Sequence, residues 1–440
     1  LNSPENRSPY DVAVAGGGPA GCAAAIALAQ RGRRVVLLER EAFPRFHIGE
    51  SLLATVNESL ETLGLAERVR EQGFPEKWGA SLSTHDGRSG RPVDFATARE
   101  VARPQTYQVR RERFDQLLLE RAREAGVEVR ERHRVDGCDF GAAGVELRGT
   151  APAGRFDLAA AAIVDATGRA GLLARKLELR RAEPRLANVA IYAHYSGVPE
   201  LPGRRAGDIR IVARDDAGWF WIIPIGDGLT SVGVVLPRAL YRRFEKGDPE
   251  AMLAAAVAQT PAVAELLREA RREWPVRVEK DFSYGASAYA GDRWLLVGDA
   301  GSFLDPVFSS GVAIALESGI DAADALDRAL AGNDLRAPRF RRFERLQRQR
   351  YEVFRRFVLA FYTPWFRDLF FQPGAPPRIF RAVVTILAGK WRPSLGTRAL
   401  VEIFFAAVAL QRRLRLVQPL ARRDPAAGFP GDRLALGEAE

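Results

Sequence analysis

Three features of this 440-residue chain have residue types and spacing that could do chemistry. The first is Gly16-Gly17-Gly18-Pro19-Ala20-Gly21. Glycines at its first, third and sixth places permit a tight turn, close approach of backbone to a pyrophosphate, and close helix packing. A helix starting here would present its free amides to the phosphates. Glu39 ends the next apolar run, where a carboxylate would accept hydrogen bonds from an adenosine ribose. The second feature is Trp219-Phe220-Trp221-Ile222-Ile223-Pro224, which on its own reads as a buried strand ending at the proline. The third is Lys77. Lysine occurs only at 77, 176, 246, 280 and 390, and arginine supplies nearly all other cations. Arginine cannot be deprotonated in a protein, so each lysine carries more weight. Taken alone, Lys77 reads as a solvated surface residue.

These residues need elements to hold them. Residues 11–15 read as a short buried strand, an alanine-rich helix runs to about Gln30, and residues 34–38 form a second strand. Strand, helix and strand with the acid in register make the glycine pattern specific. Arg111, Phe114 and Asp115 precede a helix with charged faces. Residues 127–132 and 162–168 add strands, the second ending at a glycine turn. Residues 187–196, 208–214, 219–224 and 230–235 read as strands of a second sheet. Residues 292–300 return to a buried strand, 303–306 form a loop, and Ser309-Ser310-Gly311 leads into a helix through Leu330. Residues 336–440 are mainly helical, basic and aromatic-rich, with a flexible tail after Arg422.

Composition sets limits. Apolar residues make up 47% of the chain, enough for a substantial core. No run of about 18 apolar residues occurs, so no membrane span is expected. The polar start, with Asn2, Ser3, Glu5 and Arg7, shows no signal peptide. Cys22 and Cys138 make neither a disulfide framework nor a metal site, which fits a reducing cytoplasm. Cys22 follows the last fingerprint glycine and is expected to be a small helix-packing residue. The net charge of +10 is spread along the chain without a nucleic-acid motif, so an acidic protein is the better-motivated partner.

The fingerprint, the run Pro44 to Leu53, the Trp-x-Trp-x-Ile-Pro segment, Gly298-Asp299-Ala300 with Asp305-Pro306, and Phe361 to Phe371 together resemble the FAD-dependent halogenases of natural-product pathways. The likeness is greatest to those acting on phenols or pyrroles and to the chondrochloren and chloramphenicol halogenases. The resemblance implies the p-hydroxybenzoate-hydroxylase-like α/β fold. A Rossmann-type FAD-binding domain would occupy 1–184 and 276–335, a β-sheet substrate segment 185–275, and a helical region 336–440. It also implies FAD, used as FADH2 supplied by a separate flavin reductase, together with O2 and chloride. Arg40, Arg45, Ser51, Arg111, Asp299 and Gly311 would join the fingerprint residues and Glu39 around the cofactor. Trp219, Trp221 and Pro224 would keep organic substrate away from the flavin, and the amides of Ser310 and Gly311 would bind chloride.

Lys77, in Phe74-Pro75-Glu76-Lys77-Trp78-Gly79, matches the family's lysine. In that family a flavin hydroperoxide oxidises chloride to hypochlorous acid. An ammonium would hydrogen-bond this species and a neutral amine would form a chloramine, which a guanidinium does poorly. Tryptophan halogenases carry a glutamate just before Ser-Thr-Gly, where this chain has Phe308. A phenol or pyrrole needs less help, because its heteroatom stabilises the cationic intermediate. The expected substrate is therefore a phenolic or pyrrolic group on an acyl or peptidyl carrier protein, whose usual acidity suits the positive chain. Two alternatives share the fold. A flavin monooxygenase (hydroxylase) needs its substrate against the flavin, and a geranylgeranyl-reductase-like enzyme needs an open apolar tunnel.

Overall fold

The computed structural model describes residues 10–215, 218–243, 248–280, 283–372 and 376–420. The polar N-terminal residues, Lys246 and the tail after Arg422 lie outside the described residues.

The glycine pattern sits where its spacing requires. Strand Tyr10–Ala15 runs into helix Pro19–Ala29, which returns to strand Val35–Leu38, and the two strands pair in parallel. Every residue of the helix from Pro19 to Leu28 is buried, so alanines let it lie flat on the sheet. Cys22 is buried there, with its thiol on the Gly17 carbonyl at 3.1 Å. Strands Gly154–Asp165 and Trp294–Leu296 extend the parallel sheet on one side of Tyr10–Ala15, and Glu128–Arg130 extends it on the other. The buried strand expected over 292–300 is shorter than its apolar run. After Leu296 the chain turns into a 3-10 helix at Gly298–Ala300.

The second sheet takes Asn188–Ser196, Leu229–Pro237, Trp219–Gly226 and Ile209–Ala213 in that spatial order. It extends past the expected 185–275 segment. Strands Gly79–Thr84 and Gly90–Asp94 add to it beside Ile209–Ala213, and Arg277–Lys280 pairs with Asn188–Ser196. Side chains alternate across a strand, and the aromatic segment shows it. Trp219, Trp221 and Ile223 join the core shared with the first sheet, whereas Phe220 and Ile222 join a smaller core with Met252, Leu253 and Val263. This strand does not stop at Pro224 as expected; it runs to Gly226, with a register irregularity between the two. Pairing with Ile209–Ala213 ends at Ile222, so Pro224 has a partner strand on one side only. A missing N–H is tolerated at such an edge.

Helix Gly311–Ala331 packs against the fingerprint helix, where Gly319 meets the Ala20 carbonyl so closely that a Cβ would lie 2.4 Å from it. Helices Arg341–Phe361, Pro364–Phe371, Pro377–Leu387 and Leu395–Leu414 complete the C-terminal region. Phenylalanines 357, 361, 366, 370, 371 and 404 bury into one core there. Among the described residues no helix is long and apolar enough to cross a membrane.

Candidate active site

A cavity of about 1290 Å³ opens at the carboxyl ends of the first sheet's strands, with Ala190, Tyr192 and Trp221 of the second sheet across from them. This is where an open parallel sheet binds ligands. The three fingerprint glycines serve it differently. Gly16 adopts φ of +107°, and a Cβ there would lie 2.2 Å from the Ala166 carbonyl. Gly18 faces open space, with only Arg45 Nη2 at 3.6 Å from an added Cβ. Gly21 is not on the wall; a Cβ there would meet the Gly16 carbonyl at 1.9 Å, so it closes the turn onto the helix. Pro19 and Ala20 line the cavity beside Gly16 and Gly18.

Glu39 reaches the wall from the strand end and is already held. Its Oε2 accepts from the Gly17 amide at 2.6 Å and its Oε1 from the Glu41 amide at 2.9 Å. Arg40 lines the same rim, pairs with Glu41 at 3.2 Å and stays largely exposed.

One buried carboxylate organises the cations. Asp115 accepts from Arg111 Nε at 2.8 Å and Nη2 at 2.9 Å, and from Arg45 Nη1 at 3.3 Å. Burial pushes the Asp115 carboxyl up, but Arg111 and then Arg45 outweigh it and hold it below its ordinary range. Arg111 begins helix Arg111–Glu124 rather than preceding it, so Arg111 and Asp115 lie one turn apart on one face. Arg111 Nη1 also donates to the Ile48 and Gly49 carbonyls at 3.0 and 3.3 Å, which fixes the loop before Ser51. Arg45, Arg111, Ser51 and His47 all line the cavity. Asp299 lines it too; enclosure raises its carboxyl to about 6 against the opposing charges of Arg111, Arg169 and Arg180.

Lys77 is not a surface residue. It is 1% exposed, in the short strand Glu76–Lys77 that pairs with Thr106–Tyr107. Its Nζ donates to Ser51 Oγ and to the Leu52 carbonyl, both at 2.8 Å, and lies 5.3 Å from the centre of the Phe95 ring. Burial lowers its ammonium from 10.5 to about 7, with Asp208 opposing the shift. Lys77 itself does not reach the cavity; Ser51 stands between them.

Of the barrier residues, Trp221 is on the cavity wall, while Trp219 and Pro224 are not. The Trp219 indole lies behind Trp221, with ring centres 5.9 Å apart. Trp221 rests across Gly233, its ladder partner, where a Cβ would come within 2.2 Å of Trp221 Cζ2. Its Nε1 donates to Ser231 Oγ at 3.1 Å. On the opposite wall Gly311 starts its helix bare, with nothing within 4 Å of an added Cβ. Ser310 is buried just behind it, and Ser309, at φ of +56°, lines the cavity instead. Phe308 is buried between Phe357 and Phe361, off the wall.

The FAD binding domain family matches residues 9–337. A brominase of 1H-pyrrole-2-carbonyl peptidyl-carrier protein from Pseudoalteromonas luteoviolacea is 34% identical over 334 residues, covering 75% of this chain and 80% of that protein. The corresponding chlorinase from Pseudomonas fluorescens is 31% identical, over 80% and 83%. The chain belongs to the flavin-dependent halogenases. The solved flavin-dependent brominase Bmp2 superposes on this halogenase with a TM-score of 0.82 at 30% identity, covering 92% of this chain and 99% of that one.

FAD is the halogenase's cofactor, and the cavity suits it. Backbone is bare toward the space at Gly18 and Gly311, a carboxylate waits at Glu39, and guanidinium groups are fixed at Arg45 and Arg111. Sequence reasoning missed several wall residues of the halogenase, among them Thr167, Arg169, Leu304, Pro306 and Ser309. The signals were present: Thr167 lies in the glycine turn after 162–165, and Ser309 directly precedes the assigned pair.

Proposed function

We propose that this enzyme halogenates an electron-rich pyrrolic or phenolic group held as a thioester on an acyl or peptidyl carrier protein. The observation that carries the reading is Lys77: a buried amine, its ammonium lowered by burial from 10.5 to about 7, bonded through Ser51 to the back of a cavity wall that also holds Trp221. The carrier follows from the substrates named for the two pyrrole-carbonyl relatives. A hydroxylase needs its substrate against the flavin, and an indole on the cavity wall at Trp221 speaks against that.

In this reading Gly16, Gly18, Pro19 and Ala20 receive the pyrophosphate, and Gly21 holds the turn. Glu39 takes the ribose, Arg40 and Arg45 flank the phosphates, Arg111 and Ser51 fix the loop along the ring system, and Asp299 faces the ribityl chain. The Gly311 amide, with Ser310 behind it, holds the halide at the positive end of a 21-residue helix. When bound in reduced form with O2 and halide, FAD supplies hypohalous acid. Trp221, backed by Trp219 and set by the strand through Pro224, keeps the aromatic substrate on the far side. Lys77 would receive the oxidant across Ser51, the residue between its amine and the cavity. Its protonated form donates a hydrogen bond to the hypohalous oxygen. Its neutral form would attack the halogen, giving N-halolysine and water; the halogen would then pass to ring carbon, the ring losing its proton and the amine nitrogen taking one up. The FAD-binding part would be 1–184 with 276–335, the substrate side 185–275 with the strands it recruits, and the helical cover 336–440. A separate reductase would supply FADH2, and two buried free cysteines suit a reducing cytoplasm.

The test offers one aromatic acid both free and as its carrier thioester, with chloride, FAD, NADH and a flavin reductase. Chlorinated thioester by mass is expected. Efficient chlorination of the free acid with no gain from the carrier removes the carrier. Hydroxylated product without halogen removes the halogenase chemistry.

A further inference from the structure

The Tyr362 hydroxyl is saturated with partners from three segments that each lie next to residues of the cavity wall. It donates to Asp305 Oδ2 at 2.7 Å, and it accepts from Trp219 Nε1 at 2.8 Å and from Asn188 Nδ2 at 2.9 Å. One donor and two acceptor sites are all that a phenol has. Asn188 reaches Asp305 as well, at 3.0 Å. Asp305 is fully buried and caps the 3-10 turn Pro306–Phe308 through the Val307 amide at 3.3 Å.

Each partner belongs to an element that bears on the site. Trp219 backs Trp221. Asn188 begins the strand whose Ala190 and Tyr192 line the cavity. Asp305 lies within the stretch in which Leu304, Pro306, Ser309 and Gly311 line it. Tyr362 itself follows helix Arg341–Phe361, outside the family domain that ends at residue 337. The neighbouring Phe361 ring stands edge-on to both Trp219 and Phe308, at 6.3 and 5.8 Å, and the partners Asp305, Trp219 and Asn188 are buried, while Tyr362 itself is half-buried beside a second, smaller cavity. A hydrogen bond there is strong when made and costly when lost.

We propose that Tyr362 is a positioning residue that sets the distance between the tryptophan wall and the halide loop, through Trp219 on one side and Asp305 on the other. It does not line the cavity. It fixes where the Gly311 amide stands relative to Trp221, and so how tightly halide is held and how much oxidant reaches product. The inference rests on the reading that the 310–311 amides hold halide.

The test is Tyr362→Phe, which keeps the ring and deletes the hydroxyl. The first readout is equilibrium bromide titration of the protein carrying oxidised FAD, followed by flavin absorbance. The bromide dissociation constant is expected to rise about tenfold, the scale of one lost hydrogen bond to a charged group, while FAD affinity stays within about twofold. The second readout is halogenated product per flavin oxidised, which should fall as hydrogen peroxide rises. A purely structural tyrosine would lower Tm without moving either ratio. Trp219→Phe deletes one of the same bonds and leaves Asp305 satisfied, so it keeps the question open to measurement if Tyr362→Phe does not fold. It should shift the bromide constant in the same direction, and the pair of substitutions should be less than additive. A wild-type bromide response left unchanged in the variants overturns this inference alone. No halide response in wild type overturns the functional reading and this inference with it.

Discussion

Lys77 Nζ and Ser51 Oγ are 2.8 Å apart on two sides of one wall: Ser51 lines the cavity and Lys77 lies behind it, 1% exposed. The amine is thus joined to the cofactor side by a single hydroxyl while its other surroundings are the Leu52 carbonyl and the Phe95 ring. A lysine buried this way has no use as a surface charge. Its desolvation is a standing cost that delivery of an oxidant would explain.

Replacing Lys77 with Ala or Met should lower halogenated product by about a hundredfold or more, the scale of losing a positioned acid or base. Flavin oxidation should continue at the wild-type rate and release hydrogen peroxide. Lys77→Arg should fail equally, since a guanidinium cannot deprotonate. Product mass and a peroxide assay decide it, and chlorination near the wild-type rate in any of the three would reduce Lys77 to packing.

The same amine gives a signed pH dependence of stability. Its folded value of about 7 lies below its ordinary 10.5, so between these values the unfolded chain holds a proton that the folded chain has released. Wild-type stability from this residue therefore rises with pH across that window, and its cost is greatest below about pH 7. Lys77→Met should raise Tm more at about pH 6 than at about pH 10. An equal gain at both, by thermal circular dichroism, would mean that the ammonium is not desolvated.

Gly18 and Gly21 should fail in different ways. Gly18→Asp puts a carboxylate into open space beside the expected pyrophosphate, and repulsion of about 1–4 kcal/mol at such range should weaken FAD about tenfold or more. Folding should be little changed. Gly21→Ala drives a methyl into the Gly16 carbonyl and should lower Tm sharply. Flavin fluorescence titration beside thermal melts separates the two, and unchanged FAD affinity in Gly18→Asp would move the pyrophosphate elsewhere.

Asp115→Asn should be costly, because it strands Arg111 in the interior and frees Arg45. A loss of about 3–5 kcal/mol in urea unfolding is expected, as for a broken buried pair. Adding Arg111→Gln should recover part of it. No recovery would show that Asp115 acts by shape rather than by charge.

Much of this was legible in the chain. The strand–helix–strand around Gly16 to Glu39 follows from the glycine spacing with the acid in register, and the alternation Trp219, Trp221, Ile223 against Phe220, Ile222 follows from a strand's period of two. What was hidden depends on partners far away in sequence. Pro224 reads as a stop, yet the strand continues because its pairing with Ile209–Ala213 ends at Ile222 and leaves the proline's missing N–H on an open side. Lys77 reads as solvated until Thr106, Ser51 and Phe95 close around it. Tyr362 lies in a motif plain in the sequence, but its work is set by Trp219, Asn188 and Asp305, over a hundred residues away for two of them and 57 for the third.

The bare Gly233 beneath Trp221 gives this wall a history as well as a shape. While the indole is present, no side chain at 233 has room, since even a methyl carbon would meet the ring at 2.2 Å. The reverse does not hold: a smaller residue at 221 leaves Gly233 undisturbed. Any lineage, natural or in a laboratory, that opens the flavin to larger molecules must therefore shrink 221 before it can grow 233, and a lineage that has then filled 233 cannot regain the tryptophan in one step. The two positions act as a ratchet, and the order of their substitutions is written into the ladder that pairs them.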